Sequence, residues 1–290
     1  MIEITQPGLL TTVQDLGRPG WAHLGVPRSG ALDVPALELA NQLAGNVTGA
    51  AGLEVTMRGC AFRTHVSTVV AVTGAPTEVL VDGGTAPFCA PLVLAPGSTV
   101  EIKPPRTGVR TYVAFAGGVV VPEVLGSRAT DTLSGLGPSP LKAGDRLPLG
   151  MTWHDPTILD TVRGRRTRWD EITLAISLGP RDDWFTDEAI GTLLGTAYSL
   201  SMKSNRVGAR LTGPSLTRAV AGELPSEGIV LGAVQVPADG QPLVFLADHP
   251  TTGGYPVIAV VDAADLPLLA QARPGAAVRF RQTGGHGPQR

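Results

Sequence analysis

The sequence predicts a mainly β protein with a few short helices, and two observations lead to that prediction. Among its 290 residues, 37 glycines and 25 prolines separate short runs rich in Val, Thr, Leu and Ile, as in strands joined by turns. Three segments, beginning at Ala95, Lys142 and Arg273, repeat a glycine-containing turn followed by an extended run. Few helices among many short strands favour barrels or sandwiches over a doubly wound sheet.

The predicted strands are short runs of about the usual strand length. In chain order they are Thr68 to Val72, Glu78 to Val81, Leu92 to Leu94, Val100 to Ile102, Thr111 to Phe115, Ile172 to Ile176, Ile229 to Val236, Leu243 to Leu246, Val257 to Val261 and Ala277 to Arg281.

Three short helices are predicted from capping residues. Asp33 is placed to cap the first, with Pro35 in its first turn, and Thr186 is placed to cap the second. A third is expected to start at Asp262 and to end before Pro274.

A polar, arginine-rich stretch from Met151 to Trp169 divides two β-rich halves of similar size. We therefore predict one domain over residues 1–160 and another over residues 161–290. Four arginines in this stretch form either a solvated linker or an anion site; they are Arg163, Arg165, Arg166 and Arg168.

Composition excludes several classes of function. A net charge of −2 argues against nonspecific nucleic-acid binding. No secretory signal is recognised, and the apolar run from Tyr112 to Val121 is too short to span a bilayer. Cys60 and Cys89 form no paired motif and are expected to be core residues. We expect a cytoplasmic protein that binds neither nucleic acid nor membrane.

Familiar local motifs of catalysis are missing from the sequence. It contains no P-loop, no G-x-S-x-G and no H-E-x-x-H, so we predict no bound metal. Met202-Lys203 resembles half of a biotin attachment tripeptide, but Ser204 follows it. Covalent biotin is therefore not predicted.

Near the N-terminus, an apparent strand leads into a turn that carries Gln14, Asp15 and Arg18 around Gly17. An amide, a carboxylate and a guanidinium close together can orient a planar amide or carboxylate ligand. Alternatively, Asp15 and Arg18 pair to stabilise the turn. The following segment, Gly25 to Asp33, leads into the first helix, whose N-terminus either holds an anion or is simply capped.

Alternation from Arg206 to Leu211 predicts a strand with Arg206 and Arg210 on one face, flanking Gly208. These arginines would bind a phosphate or carboxylate group by donating hydrogen bonds to it; alternatively, the face is an ordinary solvated one. Downstream, the double glycine at Gly253 and Gly254 either lets backbone amides approach a ligand or forms a hairpin turn.

Six segments recur in the order in which they stand in a known family: Thr12 to Arg18, Gly25 to Asp33, Ala40 to Asn46, Ser204 to Arg206, Ser226 to Gly228 and Thr251 to Pro256. They resemble the allophanate hydrolase subunit 2 family, which includes KipA, the C subunit of bacterial 5-oxoprolinase and part of the carboxyltransferase region of urea carboxylase. The resemblance runs in the same order from Ile4 to Phe280.

The resemblance implies two cyclophilin-like β-barrel domains and a complex with two further 5-oxoprolinase components, a KipI-like B subunit and an A subunit. Together the three proteins are expected to open the lactam of 5-oxo-L-proline to L-glutamate with ATP as co-substrate. This chain alone is expected to be inactive. The alternatives are a KipA-like regulator that binds a KipI-type kinase inhibitor, and a urea or amide carboxyltransferase component.

The family's motif residues are carried onto this chain as hypotheses. The predicted catalytic residues are Asp15, Arg18, Arg206 and Glu227. The predicted substrate-binding residues are Gln14, Asn205, Thr251, Thr252, Gly253, Gly254 and Tyr255. Arg206, with Arg18, would hold an anionic group, and Asp15 or Glu227 would handle protons. The chain departs from the expected family pattern at Val207, where methionine is expected, and at His249, where glutamine is expected.

Overall fold

The computed structural model describes residues 1–151, 169–222 and 224–283, and the chain forms two compact units. The first unit comprises Met1–Pro19 and Ser29–Thr167, and the second comprises Gly20–Arg28 and Arg168–Arg290. The predicted boundary between residues 160 and 161 lies outside the described residues, as does the arginine cluster. The prediction of a mainly β protein with a few short helices is confirmed.

The described residues of the first unit form one α-helix, with strands on either side of it in the sequence. In chain order its elements are β1 (Ile2–Gln6), β2 (Leu10–Gln14), α1 (Val34–Leu43), β3 (Gly52–Thr56), β4 (Cys60–Thr64), β5 (Thr68–Gly74), β6 (Val79–Val81), β7 (Gly84–Ala86), β8 (Pro91–Leu94), β9 (Thr99–Ile102), β10 (Arg110–Phe115) and β11 (Arg146–Leu147).

Two sheets in the first unit enclose its main core. One has the strand order β11-β1-β4-β9-β6-β7 and the other β2-β3-β10-β5-β8. Phe62 on β4 meets Phe115 on β10 edge to face, with ring centroids 5.1 Å apart. Because both rings are fully buried with residues of both sheets, the sheets pack face to face through apolar side chains.

Helix α1 covers the outer side of the second sheet. Its buried residues Leu37 and Ala40 pack with Ala71 of β5 and Ala114 of β10. The Asp33 side chain accepts a hydrogen bond from the Ala36 N–H at 3.2 Å, so the predicted cap is confirmed.

In the part of the second unit that the structure describes, strands are accompanied by two short α-helices. Its elements are β12 (Glu171–Leu178), α2 (Asp187–Gly195), β13 (Ala197–Leu200), β14 (Gly208–Thr212), β15 (Glu227–Gly228), β16 (Ala233–Gln235), β17 (Leu243–Phe245), β18 (Thr252–Gly253), β19 (Val257–Val261), α3 (Leu266–Gln271) and β20 (Ala277–Gln282). Single 3-10 turns lie at Ala22–Leu24, Asp182–Trp184 and Ala263–Asp265.

Seven of these strands close into a barrel in the order β12-β19-β16-β17-β14-β13-β20. Closure is made by a parallel pairing of β12 with β20, in register from Glu171 with Ala277 to Ile176 with Gln282. Strands β15 and β18 lie outside the barrel and form a separate antiparallel pair.

Two of the predicted elements are corrected. The run from Ile229 to Val236 is a strand only at Ala233–Gln235, because Gly232 adopts a left-handed φ of 82° and turns the chain. The third helix starts as a 3-10 turn, and its α-helical part begins at Leu266 rather than near Asp262. Thr186 caps α2 as predicted, since its hydroxyl accepts from the Ala189 N–H.

Among the helices of the described ranges, none has the length and apolar character needed to cross a membrane.

Candidate functional site

Asp15 is the centre of a buried polar arrangement in the first unit. Its carboxylate accepts hydrogen bonds from the Gly17 N–H at 2.8 Å, the Ser127 hydroxyl at 2.7 Å and the Arg128 N–H at 2.6 Å. Its own carbonyl accepts from the Ala31 N–H at 2.9 Å. Asp15 therefore ties together three segments of the chain, residues 14–18, 29–33 and 124–131, which we call the three-segment junction.

Arg18 enters the same junction and is 1% exposed. Its Nε donates to the Val124 carbonyl at 3.3 Å, and its Nη2 donates to the Ala129 carbonyl. No ion pair joins Arg18 to Asp15 within the described part of the chain. The alternative in which these two residues pair across the turn is therefore not the arrangement in the structure.

Gln14 and Ser29 both bond to Thr130 of the junction. Gln14 Nε2 and Ser29 Oγ each donate to the Thr130 carbonyl at 3.0 Å. The backbones of Gly30 and Gly17 also lie close together, since a Cβ added to Gly30 would be 2.7 Å from the Gly17 nitrogen. Only glycine fits at position 30, where φ is also +92°.

A buried network connects the junction to helix α1. Tyr112 donates its hydroxyl to Glu54 Oε2 at 2.7 Å and accepts from the Asp33 N–H at 2.8 Å. Burial, together with the charges of Glu54 and Asp33, raises the pKa of Tyr112 well above its ordinary value. The segment before α1 is thus fixed by side chains of β3 and β10.

The second unit brings together two separated groups of predicted residues. Strands β15 and β18 pair Glu227 with Gly253 and Gly228 with Thr252. Gln235 Nε2 donates to the Tyr255 carbonyl at 2.8 Å, and a Cβ on Gly253 would lie 2.9 Å from that Nε2. The double glycine is therefore not a hairpin turn, because Gly253 belongs to a strand that other side chains approach closely.

Glu227 is bound by Arg181, which lies in none of the sequence motifs. Arg181 Nε donates to Glu227 Oε2 at 3.0 Å, and Nη2 donates to Oε1. These hydrogen bonds hold the pKa of Glu227 below its ordinary value, against the opposing effect of desolvation. Glu227 therefore presents a carboxylate rather than a proton donor at neutral pH.

The surface around this pair is accessible and polar. Tyr255 is 48% exposed, Thr252 is exposed and Thr251 is half-buried. The hydroxyls of these three residues have no hydrogen-bond partner in the described ranges. We call the group of Arg181, Glu227 and residues 251–255 the β15–β18 patch.

Arg206 lies elsewhere in the second unit and is not a surface residue. It precedes β14 instead of lying on it, and it is 2% exposed. Its guanidinium donates through Nε and Nη2 to the Asp248 carboxylate at 3.0 and 3.1 Å. The expected strand face with Arg206 and Arg210 side by side is therefore wrong, because Arg206 turns inward to a buried carboxylate while Arg210 is exposed.

Asn205 and His249 flank this buried pair in the sequence. Asn205 accepts from the Val207 and Gly208 N–H groups at 2.9 and 3.2 Å, and so closes the turn before β14. His249 is 6% exposed, its Nδ1 lies 2.8 Å from the Pro250 carbonyl, and its ring packs beside Phe245.

The structure thus places the predicted site residues in three groups. Gln14, Asp15 and Arg18 lie in the junction of the first unit. Glu227 and residues 251–255 form the β15–β18 patch, and Arg206 lies with Asp248 within the second unit. Ser127, Thr130 and Arg181 were missed because they carry no local motif and contact the predicted residues only through the fold.

Two further observations concern a groove in the first unit and the side chains that could bind a metal ion. A groove of about 630 Å³ in the first unit is lined by residues that were not predicted for the site: Pro76, Thr77, Glu78, Arg106 and Thr107. Within the described ranges, no three His, Cys, Asp or Glu side chains come together as metal ligands.

Residues 24–282 match the family described as carboxyltransferase domain, subdomain A and B. The chain belongs to this carboxyltransferase family. The family relationship predicted from the motifs is therefore confirmed.

The relatives of this carboxyltransferase-family chain include a 5-oxoprolinase subunit and a urea amidolyase. The C subunit of 5-oxoprolinase from Escherichia coli K12 is 39% identical over 285 residues, covering 97% of this chain and 91% of that protein. Urea amidolyase of Saccharomyces cerevisiae is 33% identical over 301 residues, which are 96% of this chain but 16% of that protein.

The fold is shared with a solved structure whose sequence identity to this chain is close to that of the Escherichia coli relative. The crystal structure of TTHA0988 matches 97% of this chain with a TM-score of 0.86 and 38% sequence identity. This chain spans 55% of the TTHA0988 chain.

Proposed function

We propose that this chain is the C subunit of an ATP-dependent 5-oxoprolinase, which opens 5-oxo-L-proline to L-glutamate. The observation that supports it most strongly is the 39% identity with the C subunit of the Escherichia coli K12 5-oxoprolinase over nearly the whole length of both proteins. A match of that extent leaves no large segment of either chain without a counterpart.

The proposed reaction needs activation because a lactam is a stable amide. ATP transfers its γ-phosphoryl group to the lactam oxygen, which releases ADP. Water then adds to the ring carbon, and the C–N bond breaks with the electron pair going to nitrogen, which takes up a proton and leaves an acyl phosphate at the former ring carbon. A second water attacks this acyl carbon, the C–O bond to the phosphoryl group breaks, and phosphate leaves. The products are L-glutamate, ADP and phosphate, and the protein must supply donors for the lactam and phosphate oxygens.

Within this chain, two of the three groups are proposed to contact small molecules. The junction offers Gln14 and Arg18, while Asp15 acts as a positioning residue because its carboxylate already accepts three hydrogen bonds. The β15–β18 patch offers exposed hydroxyls beside the Arg181–Glu227 pair. Arg206 is proposed to position the turn that carries Asn205 rather than to bind an anion.

The remaining components of the system are also proposals. A KipI-like B subunit and the 5-oxoprolinase A subunit would complete the enzyme, and the chain alone would have no turnover. ATP would act as co-substrate in that complex, which we place in the cytoplasm. The cyclophilin-like description of the two β domains belongs to the same proposal.

Reconstitution tests this function directly. This chain is mixed with its co-encoded A and B partner proteins, 5-oxoproline and ATP, and each protein is omitted in turn. Glutamate and ADP are expected in equal amounts only from the complete mixture. Glutamate formation that continues without this chain would contradict the proposal.

The second candidate is a carboxyltransferase component that acts on urea or a similar amide. It is favoured by the family match over residues 24–282 and by the urea amidolyase similarity over 96% of this chain. A separate chain would have to deliver carboxybiotin. Transfer of ¹⁴C-carboxyl from carboxybiotin to urea by this chain, with no glutamate in the reconstitution, would decide for this candidate.

A further inference from the structure

Three buried polar atoms of the three-segment junction have no hydrogen-bond partner among the described residues. They are Gln14 Oε1, Arg18 Nη1 and Thr130 Oγ1. Their residues are 0%, 1% and 1% exposed, so solvent at the surface does not satisfy them. Unpaired buried polar atoms are costly and uncommon, and three within one junction call for an explanation.

The three unpaired atoms belong to residues that meet at one dipeptide, Ala129–Thr130. Arg18 Nη2 donates to the Ala129 carbonyl, and Gln14 Nε2 donates to the Thr130 carbonyl at 3.0 Å. Each unpaired atom of Gln14 and Arg18 belongs to the same planar group as one of these bonded atoms. The third unpaired atom is the hydroxyl of Thr130 itself.

The hydrogen bonds also fix which of the unpaired atoms is a donor and which is an acceptor. Gln14 Nε2 must face the Thr130 carbonyl, which only accepts, so Gln14 Oε1 is an acceptor that awaits a donor. Arg18 Nη1 is a charged donor, and its guanidinium is held in place by two carbonyls. Thr130 Oγ1 can donate or accept.

We propose that this junction binds the edge of a cis amide, which presents one N–H and one C=O side by side. The N–H would donate to Gln14 Oε1, and the carbonyl oxygen would accept from Arg18 Nη1 and Thr130 Oγ1. A lactam has this edge because its ring holds the amide cis, and urea has it as well. The proposal rests on the proposed function, for which it names the substrate group that this chain recognises.

Two other ligand types fit less well. A fully ionised anion would satisfy Arg18 but would face Gln14 Oε1 with a second acceptor, which is repulsive. An ordinary peptide bond is trans, so its N–H and C=O point in opposite directions and cannot reach both atoms from one edge. The donor and acceptor pattern therefore selects a cyclic or unsubstituted amide.

Ligand binding is tested with the full chain, alone and in complex with its partners. The probes are 5-oxoproline, 2-pyrrolidone and urea, with proline and bicarbonate as controls, and the readouts are equilibrium dialysis and the ligand-dependent rise in Tm. Probes with a cis amide edge are expected to bind, whereas proline, which lacks the amide carbonyl, is not. Binding of 5-oxoproline and 2-pyrrolidone without urea identifies a lactam site, and binding of urea alone identifies a urea-type site. Binding of bicarbonate without any amide, or no binding by the chain and the complex, overturns the proposal.

Thr130→Val is the sharpest variant because it removes a hydroxyl that makes no hydrogen bond within the described part of the protein. It should leave the Tm of the unliganded protein unchanged or raised, and it should weaken amide binding about tenfold. Thr11→Val is the matched control, since that hydroxyl donates to the Pro7 carbonyl at 2.7 Å. It should lower Tm without changing affinity.

Arg18→Lys provides a second variant, in which the planar fork of donors is lost but the charge is kept. We expect at least about a tenfold loss of affinity, that of one charge-assisted hydrogen bond. Wild-type affinity in both Thr130→Val and Arg18→Lys overturns the proposal.

The test of the amide site can fail or succeed independently of the test of the proposed 5-oxoprolinase function. In the reconstituted complex, Thr130→Val should raise the KM for 5-oxoproline more than it lowers kcat. Glutamate formation with an unchanged KM would leave the 5-oxoprolinase proposal standing and overturn the amide site. Urea binding by the junction, without any glutamate from the complex, would leave the amide site standing and overturn the 5-oxoprolinase proposal.

Discussion

Arg206 and Asp248 form a two-bond ion pair inside the second unit, with Nε–Oδ2 and Nη2–Oδ1 distances of 3.0 and 3.1 Å. The side chains are 2% and 0% exposed, so neither charge is solvated by bulk water. The backbone repeats the contact, since the Asp248 N–H donates to the Arg206 carbonyl at 3.1 Å. The turn before β14 is therefore joined to the segment after β17 by charge as well as by main chain.

Removing one partner of this pair should destabilise the protein strongly. Arg206→Met leaves the Asp248 carboxylate buried without its guanidinium, which costs about 3–5 kcal/mol of the free energy of unfolding. Urea denaturation measures the loss. Arg210→Met is the matched control, because Arg210 is exposed, and it should change the free energy by less than about 0.5 kcal/mol. Equal effects of the two substitutions would contradict the buried pair.

Gly30 should tolerate alanine less well than a glycine of the same conformation. Gly30 and Gly97 both have φ of +92°, but a Cβ on Gly30 would lie 2.7 Å from the Gly17 nitrogen, while one on Gly97 meets nothing within 4 Å. Gly97→Ala should cost about 1–2 kcal/mol from backbone strain. Gly30→Ala should cost about 1–3 kcal/mol more, because backbone must move. Thermal unfolding of both variants provides the comparison.

The Arg181–Glu227 pair should be visible in the titration of Glu227. Its pKa is lowered below the ordinary 4.5, so its contribution to stability is present above that pH and is lost as the pH falls through the folded-state pKa. NMR titration of the Glu227 carboxyl carbon should show the low pKa in the wild type and a return toward 4.5 in Arg181→Gln. Arg279→Gln, which breaks the exposed pair with Glu171, is the control and should leave it unmoved.

Both cysteines should be slow to react with a thiol reagent in the folded protein. Burial raises the pKa of Cys60 to about 12 and that of Cys89 to about 11, from an ordinary 9.0. At a mildly alkaline pH the thiolate of Cys89 is therefore about a hundredfold scarcer than for a free thiol. Ellman's reagent should titrate both thiols after unfolding and almost none before. Cys60 is buried, as expected, whereas Cys89 is half-buried rather than a core residue. Rapid labelling of either native thiol would contradict its raised pKa.

Local chemistry was enough to predict several elements. The caps at Asp33 and Thr186 and the strand from Val257 to Val261 were found because each depends on neighbouring residues only. The start of the strand predicted from Ile229 was wrong, because Ile229 donates its N–H to the Thr251 carbonyl outside the barrel. Only the fold supplies that partner.

The site was harder to predict than the strands for the same physical reason. Ser127 and Arg128, which fix Asp15, are separated from it by 112 and 113 positions, and no motif joins them. Alternation places Arg206 beside Arg210 on a strand face that is either an anion site or solvated, because the alternation of a strand cannot reveal a buried carboxylate 42 residues away. The motif around Gly17 predicts Gln14 and Arg18 together, but it cannot predict Thr130, which is 116 residues from Gln14 and accepts its hydrogen bond only in the fold.

The parallel pairing of β12 with β20 also constrains how the second unit is made. The first and last strands of its barrel are neighbours, joined from Glu171 with Ala277 to Ile176 with Gln282. During synthesis, every other strand of the barrel leaves the ribosome before its last seam can form. The nascent unit therefore keeps two unpaired sheet edges until residue 282 has emerged. A chaperone or partner protein would protect the chain during this interval.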